Sequence, residues 1–293
     1  MTDAKRPMPR LSLIGAGQLG KTLAYLLHHH ALCQIDSVVT LSPESAERAC
    51  TFIGTGKGSA QVDPDSALIL IAVPDDAIRT VCEALVRKGI DLQDKTLFHC
   101  SGSLSSAALS SARDAGAAVA SVHPVFSFAD PAAAVERFRG TPCGIEGDSE
   151  AIAIVQPLFE ALGATCSRID AEAKSLYHCA AVMANNYTVG LQFLAARLYE
   201  RSGMSREQAM GFILPILQGT VDNIASLGIE KALTGPVARH DIATIERHLQ
   251  ALAQGDSITL EAYKALGLAC CDLLDADRPD SHKTTEAIRK QLG

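Results

Sequence analysis

Short apolar runs without polar alternation recur through the first half of the chain. They are Leu11–Gly15, Ser37–Leu41, Leu68–Val73, Thr96–His99, Ala118–Val122, Cys143–Glu146 and Cys166–Ile169. Ala- and Leu-rich stretches of helical length separate most of them, among them Gln18–His29, Pro43–Cys50 and Ile78–Lys88. Continuous apolar strands spaced by helices predict a parallel sheet covered on both faces. From Ala171 the strand pattern stops. Helical segments are expected at 171–202, 205–227, 241–254, 257–276 and 280–291, punctuated by Gly203, Gly228, Gly235-Pro236, Gly255 and Pro279. Pro215 is expected to kink the second of them. The pattern therefore predicts an α/β domain over residues 1–170 and an all-α domain over 171–293.

The first strand runs directly into Gly15-Ala16-Gly17-Gln18-Leu19-Gly20 and then into a helix. This order suits a dinucleotide. The first glycine permits the tight turn, the second lets a pyrophosphate approach the backbone, and the third lets helix and strand pack closely. The helix N-terminus then faces the phosphates. On this motif the first domain reads as Rossmann-like and the cofactor as a nicotinamide dinucleotide. An NAD site would place a carboxylate after the second strand. Here Thr40-Leu41-Ser42-Pro43 holds none before Glu44, so NADP is favoured and NAD is the alternative, with Ser42 and Arg48 as candidate 2′-phosphate partners. Val73-Pro74-Asp75 and Ser101-Gly102 follow later strands on the same edge. They read either as cofactor contacts or as ordinary turns.

Candidate chemistry begins at His123, which follows the fifth predicted strand and titrates in the right range for proton transfer. Further on, Lys174, His178 and Asn185 fall within roughly 40° of one another at about 100° per residue. Such a stripe on an apolar helix is either a polar seam or a substrate-facing set, with Lys174 as proton donor or acceptor or polarising a carbonyl or imine, and His178 and Asn185 orienting the substrate. In the segment 232–241, Thr234 and Arg239 are candidate substrate ligands, Arg239 for a carboxylate. Asp241 reads as a helix N-cap.

Composition narrows the class. Of 293 residues, 47% are apolar and 20% charged, the balance of a globular protein with a large core. A net charge of -7 with scattered Lys and Arg argues against nucleic acid as partner, and no apolar run is long enough for a membrane span. The first ten residues are polar and basic and lack a secretion signal's apolar core, so a cytoplasmic protein is expected. Nine irregularly spaced cysteines with no CxxC pair read as free thiols, not as a disulfide framework or zinc site. The triplet His28-His29-His30 reads as a solvated helix end before it reads as a metal site, so no metal is expected.

With these residues assembled, the chain resembles a bacterial family of oxidoreductase-like proteins joining a Rossmann-like domain to a helical domain of unknown function. The resemblance rests on Gly15–Gly20, Val73-Pro74-Asp75-Asp76, His99-Cys100-Ser101-Gly102, His123-Pro124, Lys174-x-x-Tyr177-His178, Asn186-Tyr187 and Leu233-Thr234-Gly-Pro-x-Ala-Arg239-x-Asp241. The wider superfamily looks like that of 6-phosphogluconate dehydrogenase and ketopantoate reductase, and a C-terminal domain of that type is implied. Several of those enzymes carry a catalytic Lys followed four residues later by Asn, which places Lys174 in the Lys position and His178 in that of the Asn. Departures are Leu41, where the family often has Arg, and His240, where it often has Gly. The resemblance implies a homodimer through the helical domain. It also implies hydride transfer to or from a small carbonyl, hydroxy or imine compound in an interdomain cleft. The competing expectation is a non-catalytic nucleotide sensor or partner-binding protein, because fold does not settle function. A deazaflavin coenzyme, used by some relatives, is a third reading.

Overall fold

The computed structural model describes residues 8–277 and 282–293. Eight strands form one sheet: β1 (Arg10–Ile14), β2 (Gln34–Val39), β3 (Lys57–Ser59), β4 (Leu68–Ile71), β5 (Thr96–His99), β6 (Ala118–Pro124), β7 (Pro142–Gly147) and β8 (Thr165–Arg168). Their order is β3-β2-β1-β4-β5-β6-β7-β8. All neighbours run parallel except β6 and β7, which pair antiparallel. The seven expected strands are present, and β3 is additional. It is a short, polar edge strand with no apolar run to announce it.

Helices α1 (Gln18–His29), α2 (Pro43–Ile53), α3 (Asp75–Arg87), α4 (Ser110–Asp114), α5 (Pro131–Arg137) and α6 (Ser149–Ala161) cover the sheet. Side-chain alternation along each strand feeds two cores. Leu68 and Leu70 join Leu23, Leu27 and Phe159 in one cluster, while Ile69 and Ile71 join Ile78 and Cys82 in the other. Burial on both faces explains why the strands read as continuous apolar runs. The chain leaves β1 toward β2 and β3, then crosses back to β4 on the other side of β1. That reversal opens a crevice at the carboxyl ends of β1 and β4, the place where open α/β sheets take ligands.

The chain divides into two compact units, one ending at Asn185 and the other spanning Asn186–Gly293. The sequence had suggested a division after residue 170. Helix α7 (Lys174–Ala184) belongs to the first unit because Lys174 and Tyr177 bond to the sheet. The continuous helix expected over 171–202 is thus two helices, α7 and α8 (Asn186–Arg201), with the break at Asn185.

The second unit is helical: α8, α9 (Arg206–Leu227), α10 (Ile229–Ala232), α11 (Ile242–Leu252), α12 (Ser257–Asp277) and α13 (His282–Leu292). A capping box between Ser205 and Gln208 starts α9, which continues as one helix through Pro215. Asp241 caps α11, its carboxylate accepting from the Thr244 N–H at 3.0 Å. His240, just before it, has φ of 55°. That left-handed backbone explains why glycine suits this position. Pro279 lies outside the described residues. Among the described residues no helix is long and apolar enough to cross a membrane.

Gly20 fixes how α1 meets the sheet. A Cβ there would lie 2.4 Å from Gly15 O and 2.9 Å from Ala72 Cβ. Gly20→Ala is therefore expected to destabilise the protein by about 1–3 kcal/mol through overpacking, read by denaturant unfolding.

Candidate functional site

The turn after β1 contains three glycines with different reasons to be glycine. Gly15 has φ of 85°, donates its N–H to Val39 O at 2.8 Å, and would place a Cβ 2.5 Å from Ala72 O. Gly20 packs as described. Gly17 has an ordinary extended backbone, φ -64° and ψ -171°, and a Cβ built there meets nothing within 4 Å. The fold demands glycine at 15 and 20 but not at 17. Gly17 is also the N-cap of α1, and no side chain caps that terminus. Empty space over bare backbone at a helix start is what a pyrophosphate requires.

A groove of about 450 Å³ continues from this turn. Gly15, Ala16 and Gly17 line it together with Thr40 and Leu41 after β2, and Val73 and Pro74 after β4. No acidic residue lines it, and its one charged residue is Lys88. Gln18, Leu19 and Gly20 do not line the groove. Leu19 packs on the core, and Gln18 reaches Ala129 O at 3.5 Å. Ser42 caps α2, accepting from the Ser45 N–H at 3.2 Å, and lines a neighbouring cavity. Arg48 lines neither space.

Asp75 ties the next two loops together. Its Oδ2 accepts from Ser101 Oγ at 2.7 Å and from Ser103 Oγ at 2.8 Å. Ser101 Oγ also accepts from the Leu104 N–H at 2.9 Å, so its hydroxyl holds the loop after β5 in shape. Gly102 then sits against two imidazoles: a Cβ there would lie 2.4 Å from His178 Cδ2 and 2.8 Å from His123 Nε2. The His123 and His178 ring centroids are 5.8 Å apart.

Tyr177 orients His123. Its hydroxyl lies 3.1 Å from His123 Nδ1, within hydrogen-bond reach. With the phenol as donor the ring proton sits on Nε2, the nitrogen that faces the missing Cβ of Gly102. Burial, with Lys174 and His178 nearby, holds the His123 pKa down at about 4. His123 is therefore neutral at pH 7. Gly144 permits the arrangement, since a Cβ there would lie 2.6 Å from the Tyr177 hydroxyl.

Lys174 is not at the open rim. Its side chain is 1% exposed, its ammonium donates to Ser121 Oγ, and Glu146 Oε1 lies 3.5 Å away. Glu146 is equally buried and accepts from the Ser106 N–H and Oγ, each at 2.8 Å. Burial lowers the Lys174 pKa, and Glu146 partly opposes that. Sequence reasoning missed Glu146. It closes an apolar strand, where an acid reads as the strand's end. Beneath lies His99, whose Nε2–H donates to Ser105 O at 3.1 Å while Nδ1 accepts from the Ser101 N–H at 3.1 Å. Burial pushes its pKa down to about 4.

Lys174, His178 and His123 thus share one region of the first unit. Asn185 is exposed at the end of α7, and no hydrogen bond from its side chain reaches them. Thr234 and Arg239 are exposed residues of the second unit. All nine cysteines are free thiols. At the end of α1, His29 stacks on Tyr25 with ring centroids 3.7 Å apart. No group of three or more metal-ligating side chains forms among the described residues.

A model of the Rossmann-like domain matches residues 1–124, and a model of the domain of unknown function DUF2520 matches residues 141–270. The chain joins a Rossmann-like domain to a DUF2520 domain. A crystal structure of a Thermotoga maritima protein is similar, at 29% identity and TM-score 0.74, over 92% of this chain and 99% of that one. A Bacteroides fragilis protein named as a putative NADP oxidoreductase shares 23% identity, TM-score 0.70, over 90% and 98% of the two chains. An imine reductase variant from Myxococcus stipitatus in complex with NAD+ shares 16% identity and TM-score 0.63, over 92% and 94%. At those last two identities the likeness is one of fold. No curated protein matches the sequence.

Two outcomes follow from the buried groups. His99 has a folded pKa of about 4 against 6.5 unfolded, so between these values the unfolded chain binds more protons. Its contribution is full above pH 6.5 and is lost as pH falls toward 4, by up to about 3 kcal/mol. Wild-type stability should fall across that window, in which His123 contributes as well, and His99→Gln should make the fall less steep in denaturant titrations. Glu146→Gln, leaving the Lys174 ammonium buried without its counter-ion, should cost about 3–5 kcal/mol of unfolding free energy.

Proposed function

We propose that this protein is an NAD(P)-dependent oxidoreductase, with NADP preferred, acting on a small carbonyl, hydroxy or imine compound. The observation that carries the reading is the unfilled space over Gly17, a glycine that the fold itself does not require. The acid-free groove running from it past Thr40, Leu41, Val73 and Pro74 has the extent of a nucleotide site and fits a dinucleotide. A nicotinamide dinucleotide bound there supplies or accepts the hydride.

The chain's own residues do the rest. Gly15, Ala16 and Gly17 offer backbone to the pyrophosphate, and the Asp75–Ser101–Ser103 bonds hold the neighbouring loops rigid. In this reading Tyr177 donates to His123 Nδ1, and the Nε2–H that this leaves is offered to a substrate oxygen or nitrogen, with His178 beside it. A neutral imidazole donor stabilises developing negative charge without first losing a proton. Lys174 keeps the role of a positioning charge: its bonds to Glu146 and Ser121 hold α7, and with it Tyr177 and His178, against the sheet. Asn185, Thr234 and Arg239 remain candidate substrate ligands.

A homodimer through the helical unit belongs to the same reading. Val189, Phe193, Phe212, Leu214, Ile216 and Val221 on α8 and α9 are all exposed, more apolar surface than a solitary soluble unit ordinarily shows. Phe212→Asp should shift the sedimenting species from dimer to monomer. One observation favours the alternative of a non-catalytic nucleotide-binding protein: the expected proton donor, Lys174, is closed into an ion pair.

Gly17→Ala should leave the melting temperature within a degree or two but weaken NADPH binding at least about tenfold, since it fills the pyrophosphate's space alone. Equal loss of stability and binding would contradict the reading. Catalysis is tested by NADPH consumption across 2-keto acids, cyclic imines and hydroxy acids. With a substrate found, His123→Ala should lower kcat by roughly 10²–10³. Silence across the panel favours the sensor.

A further inference from the structure

We infer that Lys57, on the edge strand β3, is the residue that recognises the 2′-phosphate of NADP; this rests on the proposed dinucleotide reading and deepens it. The groove leading from Gly17 ends at Thr40, Leu41 and Ala60, and the same three residues line a second cavity of about 620 Å³. A dinucleotide with its pyrophosphate at Gly17 brings its adenosine ribose to the end of β2. The 2′ position then borders the second cavity. Lys57 is the one cation lining it, among Thr40, Ser42, Ser59 and other residues.

The fold brings Lys57 there through strand pairing. In the parallel register Ser37 faces Lys57 and Val39 faces Ser59, so β3 runs alongside the residues that lead into Thr40. Lys57 is exposed, and among the described residues its ammonium has no ion-pair or hydrogen-bond partner. Arg48, the cation nearest the β2 end in sequence, lines neither space. Glu47 lines the second cavity too, and its charge opposes a phosphate. A long, uncommitted lysine on the rim of that cavity is what makes a 2′-phosphate acceptable there.

The test measures binding by calorimetry to the full-length protein and to Lys57→Ala and Lys57→Arg. The probes are NADPH, NADH, adenosine 2′,5′-bisphosphate and adenosine 5′-monophosphate. Lys57→Ala should weaken NADPH and the bisphosphate roughly tenfold to a hundredfold, the range of one charge-assisted contact. NADH and the monophosphate should change by less than about twofold, and Lys57→Arg should keep the preference. Tight NADPH binding that is indifferent to both substitutions overturns the role of Lys57 and leaves the dinucleotide reading standing. So does a wild type that binds NADH and NADPH equally. Failure of the wild type to bind either dinucleotide overturns both. Far-ultraviolet circular dichroism on each variant separates lost contact from lost fold.

Discussion

The close approach of α1 to the turn after β1, and of that turn to Ala72 after β4, is the constraint on which the rest depends. Gly20 lies against Gly15 O and Ala72, and Gly15 takes a left-handed backbone to let the chain reverse there. No larger residue fits at either place. Because helix and turn are locked together, the backbone at Gly17 stays open above them. The loops after β2 and β4 then flank a groove whose shape is set by the sheet's reversal, not by flexible side chains. Packing at two glycines thus creates the vacancy at the third.

A second constraint fixes the chemistry end of the first unit. A buried ammonium is tolerated only with a counter-charge and hydrogen bonds. Lys174 has Glu146 and Ser121, and Glu146 in turn has both donors of Ser106. This cluster joins the first turn of α7 to β6, β7 and the turn that follows β5. Tyr177 and His178, one turn along the same helix, are thereby set beside His123 and Gly102. Burial neutralises His123, and the Tyr177 hydroxyl holds its Nδ1. A structural ion pair and a chemical donor are thus built from neighbouring residues of one helix.

The sheet was legible because its strands are buried on both faces and read as unbroken apolar runs. Strand β3 was not, since Lys57-Gly58-Ser59 lies at a polar edge and pairs only on one side. Losing β3 also lost Lys57, whose place beside the β2 end comes from tertiary pairing, not proximity in sequence. The stripe Lys174–His178 was legible from helical periodicity. Its depth was not: periodicity gives a direction around the helix, whereas burial of Lys174 depends on Glu146, a partner 28 residues earlier. Asn185 fell on the stripe only if the helix continued, and the helix ends there.

Hydrogen–deuterium exchange with and without NADPH tests the central claim most directly. Peptides covering residues 15–21 and 40–45 should gain protection together, with 73–76 and 101–103 following, while β8 stays unchanged. Absence of protection at 15–21, or protection confined to the helical unit, would contradict a dinucleotide site at the β1 turn.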